Sequence, residues 1–232
     1  MMFDWRSDEL ELIDTGDYTA EEYEGFLREI RRVNRFLGDT RALKKTLLRE
    51  VEKENLRAFS VLDVGAGSGE LLREIASFAR GKSKVTLLAG LELNARSAES
   101  ILEESKNFAE ITSVRGDALK LPFADAAFDY AICSLFTHHF TDENVVRILR
   151  EMRRVARRKI FVIDLHRHAL AYFLYTTVGK LFLYNRLVRR DGALSIRRSF
   201  RPPELRNLAE KAELENISVE RRFPFRLVLS GS

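Results

Sequence analysis

The chain has 232 residues, 45% of them apolar, enough for one domain with an elaboration and a full core. Its one cysteine, Cys133, excludes an intramolecular disulfide framework and points to a reducing, cytoplasmic setting. A net charge of +4 does not demand a nucleic-acid partner, no apolar run reaches the roughly 18–20 residues of a membrane span, and the start, Met-Met-Phe-Asp-Trp-Arg-Ser-Asp, lacks the basic and apolar regions of a signal peptide.

Residues 1–18 read as an acidic, loosely ordered lead-in. Basic residues cluster later, around 153–159, 186–190 and 197–201. Solvated helix faces explain this asymmetry; contact with RNA or an anionic membrane surface is the alternative. Thr19-Ala20-Glu21-Glu22 fits a capping box, so a helix is expected from Ala20 to about Leu37. Tyr23, Phe26, Leu27, Ile30, Val33 and Leu37 would share its inner face, and Gly38 would end it. Asp39 or Thr40 should cap a second helix to about Asn55, with Leu43, Leu47, Leu48 and Val51 inward.

Strands and helices alternate from Ser60. Strands are expected at 60–64, 85–91, 111–114, 128–134 and 159–165, with helices at about 69–80, 94–107 and 142–156 between them. Such alternation predicts a doubly wound, mostly parallel sheet with helices on both faces. Residues 166–199 break the rhythm with aromatic and apolar runs, which read as one or two inserted helices. Pro202-Pro203-Glu204 then opens a helix to about Ala212, and strands near 216–221 and 224–229 follow.

The most informative stretch is Val61-Leu62-Asp63-Val64-Gly65-Ala66-Gly67-Ser68-Gly69-Glu70. A buried strand ends in a loop whose glycines permit positive φ and bring backbone against a ligand. The dinucleotide pattern needs Gly or Ala where Glu70 stands, and that carboxylate would face phosphates. A Walker loop needs a Lys-Ser/Thr pair, which is absent. The pattern D-x-G-x-G-x-G resembles motif I of the class I S-adenosylmethionine (SAM)-dependent methyltransferases, in particular bacterial enzymes of quinone and polyketide metabolism. Glu92 after the second strand, Gly116-Asp117-Ala118 after the third, and Leu121-Pro122-Phe123 before the fourth extend the resemblance over about 60–165.

The resemblance implies a Rossmann-like seven-stranded sheet whose last strand is antiparallel. It makes 1–56 an N-terminal helical extension or lid, and 57–232 the methyltransferase domain with a helical cap inserted at about 166–199. It implies SAM held by Gly65, Ala66, Gly67 and Gly69 under the methionine half, with Asp63 ordering the loop. Glu92 would accept from the ribose hydroxyls and Leu93 would pack on adenine. Asp117 and Ala118 would meet the adenine edge, and Ser134 would close the site. Glu92 and Asp117 could instead be helix caps or surface acids.

Methyl transfer from a sulfonium needs alignment, and a base if the acceptor must lose a proton. His138 and His139, after the fourth strand, are the candidates. A metal is not expected, because adjacent histidines seldom point the same way and no third ligand is evident. His166 and His168 fall near the site after the fifth strand, and Cys133 reads as a buried small hydrophobe. Tyr172, Phe173, Tyr175, Phe182 and Tyr184 would suit a flat, apolar acceptor such as a phenol, quinol or polyketide, methylated at oxygen. The insert could instead be a dimer interface, in a monomer or homodimer, or a shallow membrane contact. A methyltransferase of RNA or protein, and a non-catalytic SAM-binding subunit, are the competing functions.

Overall fold

The computed structural model describes residues 3–36 and 38–232. Leu37 and the side chains of Leu27 and Ile30, assigned above to a helix face, lie outside the described residues. A short helix α1 (Leu12–Thr15) precedes α2 (Ala20–Phe36), whose capping box forms. The Thr19 N–H donates to Glu22 Oε2 at 3.0 Å, and the Glu22 N–H donates to Thr19 Oγ1 at 3.2 Å. Helices α3 (Asp39–Leu43) and α4 (Arg49–Lys53) are joined through a π-turn at Lys44–Leu48 into the expected second helix. Its cap differs from expectation. Gly38, at φ 100°, takes the N-cap position, and the Asp39 carboxylate is buried against Arg226 Nε at 2.5 Å.

The alternating part runs β1 (Ala58–Val64), α5 (Glu70–Gly81), β2 (Val85–Glu92), α6 (Ala95–Glu104), β3 (Ile111–Arg115), β4 (Phe128–Ser134), α7 (Asp142–Val155) and β5 (Ala156–Leu165). The insert forms α8 (Ala169–Thr177) and α9 (Arg186–Arg198), linked by a 3₁₀ turn at Gly179–Leu181. The chain closes with α10 (Pro202–Lys211), β6 (Ser218–Arg222) and β7 (Arg226–Gly231). All seven strands form one sheet in the order β3-β2-β1-β4-β5-β7-β6, with β7 antiparallel to β5 and β6.

Both faces of the sheet are covered, so the central strands are apolar throughout. Along β1 the side chains alternate between two cores. Leu62 and Val64 pack under α7 and α10 with Leu149, Met152 and Leu205. Val61 packs on the other face with Leu43, Leu47, Val51, Leu72 and Ile75. Each central leucine removed from water contributes on the order of 1.5–3 kcal/mol. Cys133 is fully buried, and burial raises its thiol well above the ordinary range, consistent with a packing role.

The acidic lead-in is not loose. Leu12 and Ile13 donate their N–H groups to the Asp191 carboxylate at 2.9 and 3.0 Å, and Ser7 N–H donates to Arg197 O at 3.1 Å. Glu9 pairs with Arg197 at 3.1 Å and Asp4 with Arg201 at 3.4 Å. Acids that read locally as solvent-facing find their partners on the inserted helix α9 and just beyond it. The N-terminal segment is thereby strapped across the end of the sheet.

Candidate functional site

Strand order reverses between β1 and β4, so a crevice opens at their carboxyl ends. The loop after β1 turns there through Gly65, Gly67 and Gly69, at φ 72°, 57° and 78°. The Gly65 and Ala66 N–H groups donate to Leu91 O at 2.9 and 3.2 Å, which ties the loop to the tip of β2. Gly65 must be glycine, because a Cβ there would lie 2.4 Å from the Phe136 ring. Nothing lies within 4 Å of the Cβ position of Gly67, so the loop backbone faces open space.

Two carboxylates border that space. Glu92 accepts from the Gly67 N–H at 2.7 Å, and burial raises its pKa against the hydrogen bonds of Gly67, Leu93 and Asn94. Asp63 is almost completely buried, and its Oδ1 has no hydrogen-bond partner among the described residues. Burial, and then the Glu92 charge, push its pKa up to about 8. A buried acceptor without a donor is costly, by roughly 1–3 kcal/mol. Its position beside open backbone suits a ligand carrying donors or positive charge.

Asp63, Gly65, Ala66, Gly67, Glu92, Leu93 and Ser134 all line one cavity of about 1340 Å³. Gly69 stands at the N-cap of α5 under the loop. Asp117 and Ala118 do not line the cavity. Asp117 is exposed and its Oδ1 accepts from the Leu119 N–H at 2.9 Å, a turn-capping bond, while Ala118 is buried in the core.

The same cavity reaches the segment after β4. Leu135 turns the chain at φ 50°, and His138 and His139 sit on a 3₁₀ turn at Thr137–His139. The His138 ring is buried, and its Nδ1 lies 2.6 Å from Asp164 Oδ1 at the end of β5. Asp164 also accepts from the Thr137 hydroxyl and the His138 N–H. Burial alone would raise the Asp164 pKa; the His138 charge and these bonds outweigh it and hold it at about 2. His139 Nδ1 lies 3.2 Å from Asp14 Oδ2. Contrary to the expectation for neighbouring histidines, the two rings stack at 4.3 Å, tilted by 31°.

A third acid joins them from the N-terminal strap. Glu11 is buried, with Oε1 3.9 Å from His138 Nε2 and Oε2 3.8 Å from His139 Nδ1. Burial first, against the charge of His139 and the hydrogen bond from Ser195, raises its pKa to about 7. Ser195 Oγ donates to Glu11 Oε1 at 2.9 Å, and Arg198 donates to His138 O at 3.1 Å and His139 O at 2.6 Å. Asp191, Ser195 and Arg198 recur at helical spacing on α9, so one buried polar stripe positions both the strap and the histidine turn. Sequence reading gave Asp164, Asp191 and Ser195 no role in the site, and left Glu11 and Asp14 in a loosely ordered acidic lead-in.

The insert roofs the cavity in part. Tyr175 and Phe182 line it with Leu170 and Leu174, and Tyr23 and Phe26 of α2 face it. Tyr172, Phe173 and Tyr184 do not: Tyr172 packs edge-on against Phe3, and the other two point to solvent. His166 lines the cavity, with its pKa lowered to about 4 by burial and neighbouring positive groups, while His168 accepts from the Leu170 N–H as the cap of α8.

Residues 61–159 match the family described as "Methyltransferase domain". A demethylmenaquinone methyltransferase of Thermotoga maritima is 32% identical over 145 residues, covering 62% of this chain and 56% of that protein. An O-methyltransferase of Aspergillus nomiae is 31% identical over 125 residues, covering 50% and 54%. The chain thus spans a little over half the length of each of these relatives. Among solved structures, magnesium protoporphyrin IX methyltransferase of Synechocystis PCC 6803 superposes with a TM-score of 0.58 at 16% identity, over 84% of this chain and 83% of that one. Sheet order, glycine loop, the acid at the tip of β2 and the matched segment agree: residues 61–159 form a methyltransferase domain, set in a sheet of the class I SAM-dependent type.

Proposed function

We propose that the protein transfers a methyl group from SAM to a small apolar acceptor, such as a phenol, quinol or polyketide, at an oxygen that must lose its proton. When bound, SAM supplies an electrophilic methyl carbon on a sulfonium. Gly65, Ala66 and Gly67 would pass under its methionine half, Asp63 would meet the ammonium group directly or through water, and Glu92 would accept from the ribose diol. Leu93 and Ser134 would flank the nucleoside. His138 and His139 stand where the acceptor loses its proton.

The observation that carries this reading is the shared cavity. The acids at the β1 and β2 tips and the histidine pair line the same cavity, whose walls are mostly apolar. Holding the nucleophile in line with the methyl carbon can contribute roughly 7–11 kcal/mol, so the walls matter as much as any proton acceptor. Helix α2 borders the cavity, which supports a lid role for 1–56. The two curated relatives named above act on demethylmenaquinone and at oxygen by their names, which supports an apolar acceptor. Turnover of naphthols by the purified chain tests the proposal. His138→Ala and His139→Ala should each lower kcat; full activity in both would remove the pair from the reaction.

No helix among the described residues is long and apolar enough to cross a membrane. Phe173, Leu181, Phe182 and Tyr184 are exposed beside Lys180 and Arg189 on the insert, which favours shallow contact with a bilayer where an apolar acceptor dissolves. Co-sedimentation with anionic vesicles checks this, and its absence at low salt would count against it.

A further inference from the structure

We propose that Glu11, His138 and His139 bind a divalent transition ion of the zinc class, with the Asp14 carboxylate beside them at 3.2 Å from His139 Nδ1. The inference deepens the reading above, since the ion would sit where the acceptor loses its proton. Donor atoms from Glu11, His138 and His139 lie within 4.8 Å of one another. Glu11 stands 3.9 Å from His138 Nε2 and 3.8 Å from His139 Nδ1. Both separations are too long for hydrogen bonds. They suit donors that share a central atom at about 2.0–2.2 Å from each, after closure by about half an ångström.

The unused atom points the same way. His138 is 3% exposed, its Nδ1 is taken by Asp164, and its Nε2 has no hydrogen-bond partner among the described residues. A carboxylate on the far nitrogen of a histidine is how metal ligands are oriented. Ser195 likewise steadies the Glu11 carboxylate, and Asp191 anchors the strap that carries it. Glu11 and Asp14 together balance a dication. Arg198 Nε lies 4.0 Å from Glu11, but its donors are committed to the carbonyls of Glu9, His138 and His139, and Arg6 is paired with Asp142. Two imidazoles among the donors favour zinc-class ions over magnesium or calcium.

The open side of this site faces the cavity. An acceptor hydroxyl bound there would release its proton to Asp14 and thence to water. The oxygen would form its bond to the methyl carbon as the methyl–sulfur bond breaks, leaving a neutral thioether.

Calorimetric titration of the chelator-treated full chain with Zn²⁺, and the visible absorption of its Co²⁺ form, test the site. One equivalent should bind. Asp164→Asn should weaken binding about 10–100-fold through the lost carboxylate behind His138. Glu11→Gln and His138→Gln should weaken it further, and all three variants should keep wild-type SAM affinity. Glu11→Gln preserves shape and decides the matter if His138→Gln does not fold. No stoichiometric uptake by the wild type, or uptake unchanged in Glu11→Gln, overturns the proposal. Either result leaves the SAM reading standing, because that is measured separately.

Discussion

His138 Nδ1 and Asp164 Oδ1 meet at 2.6 Å across the tips of neighbouring parallel strands β4 and β5. The contact fixes which nitrogen of His138 faces the cavity. Asp164→Asn keeps the shape but can present an amide N–H to Nδ1, favouring the wrong tautomer. It should lower kcat by about 10²–10⁴-fold with little change in the KM for SAM. Steady-state kinetics with both substrates varied checks this; an unchanged kcat would make the contact purely structural.

Asp63 makes cofactor binding depend on pH. Burial and the Glu92 charge raise its pKa to about 8, so at pH 7 it is mostly protonated. An ammonium group favours the ionised carboxylate, so SAM binding should release a proton. Affinity should rise as pH increases towards 8 and level off above it. Calorimetry at pH 7 in buffers of different ionisation enthalpy reads the proton count. Asp63→Asn should abolish the release and weaken binding by roughly 1.5–3 kcal/mol.

Gly192 sets the spacing of the inserted helices. A Cβ there would lie 2.0 Å from the Tyr175 hydroxyl, which donates to Val188 O at 2.5 Å. Gly192→Ala must displace Tyr175 from that bond and from the cavity wall. Overpacking of this kind costs about 1–3 kcal/mol. Thermal unfolding should show the loss, and the KM for the acceptor should rise while SAM affinity holds. Wild-type stability would mean that α8 and α9 repack freely.

What could be read from the sequence was what depends on neighbours along the chain. The Thr19–Glu22 box, the apolar strands and the Gly65–Gly69 loop are local patterns, and each took its expected form. Glu92 was legible because the end of a strand is itself a location. Glu11 and Asp14 were not, since their acids look solvent-facing until α9 folds back and Asp191 captures the strap. Nor could periodicity tell Tyr175, on the cavity, from Tyr172 and Phe173 on the same helix. The apolar character of α8 runs nearly all round, so no stripe marks its inner face.

Equilibrium titration of the purified chain with SAM tests the central claim most directly. The account predicts one saturable site in the wild type. It also predicts a marked loss of affinity in Glu92→Ala, whose fold should be intact by circular dichroism. A folded wild type that binds no SAM, or a Glu92→Ala variant that binds it equally well, would contradict it.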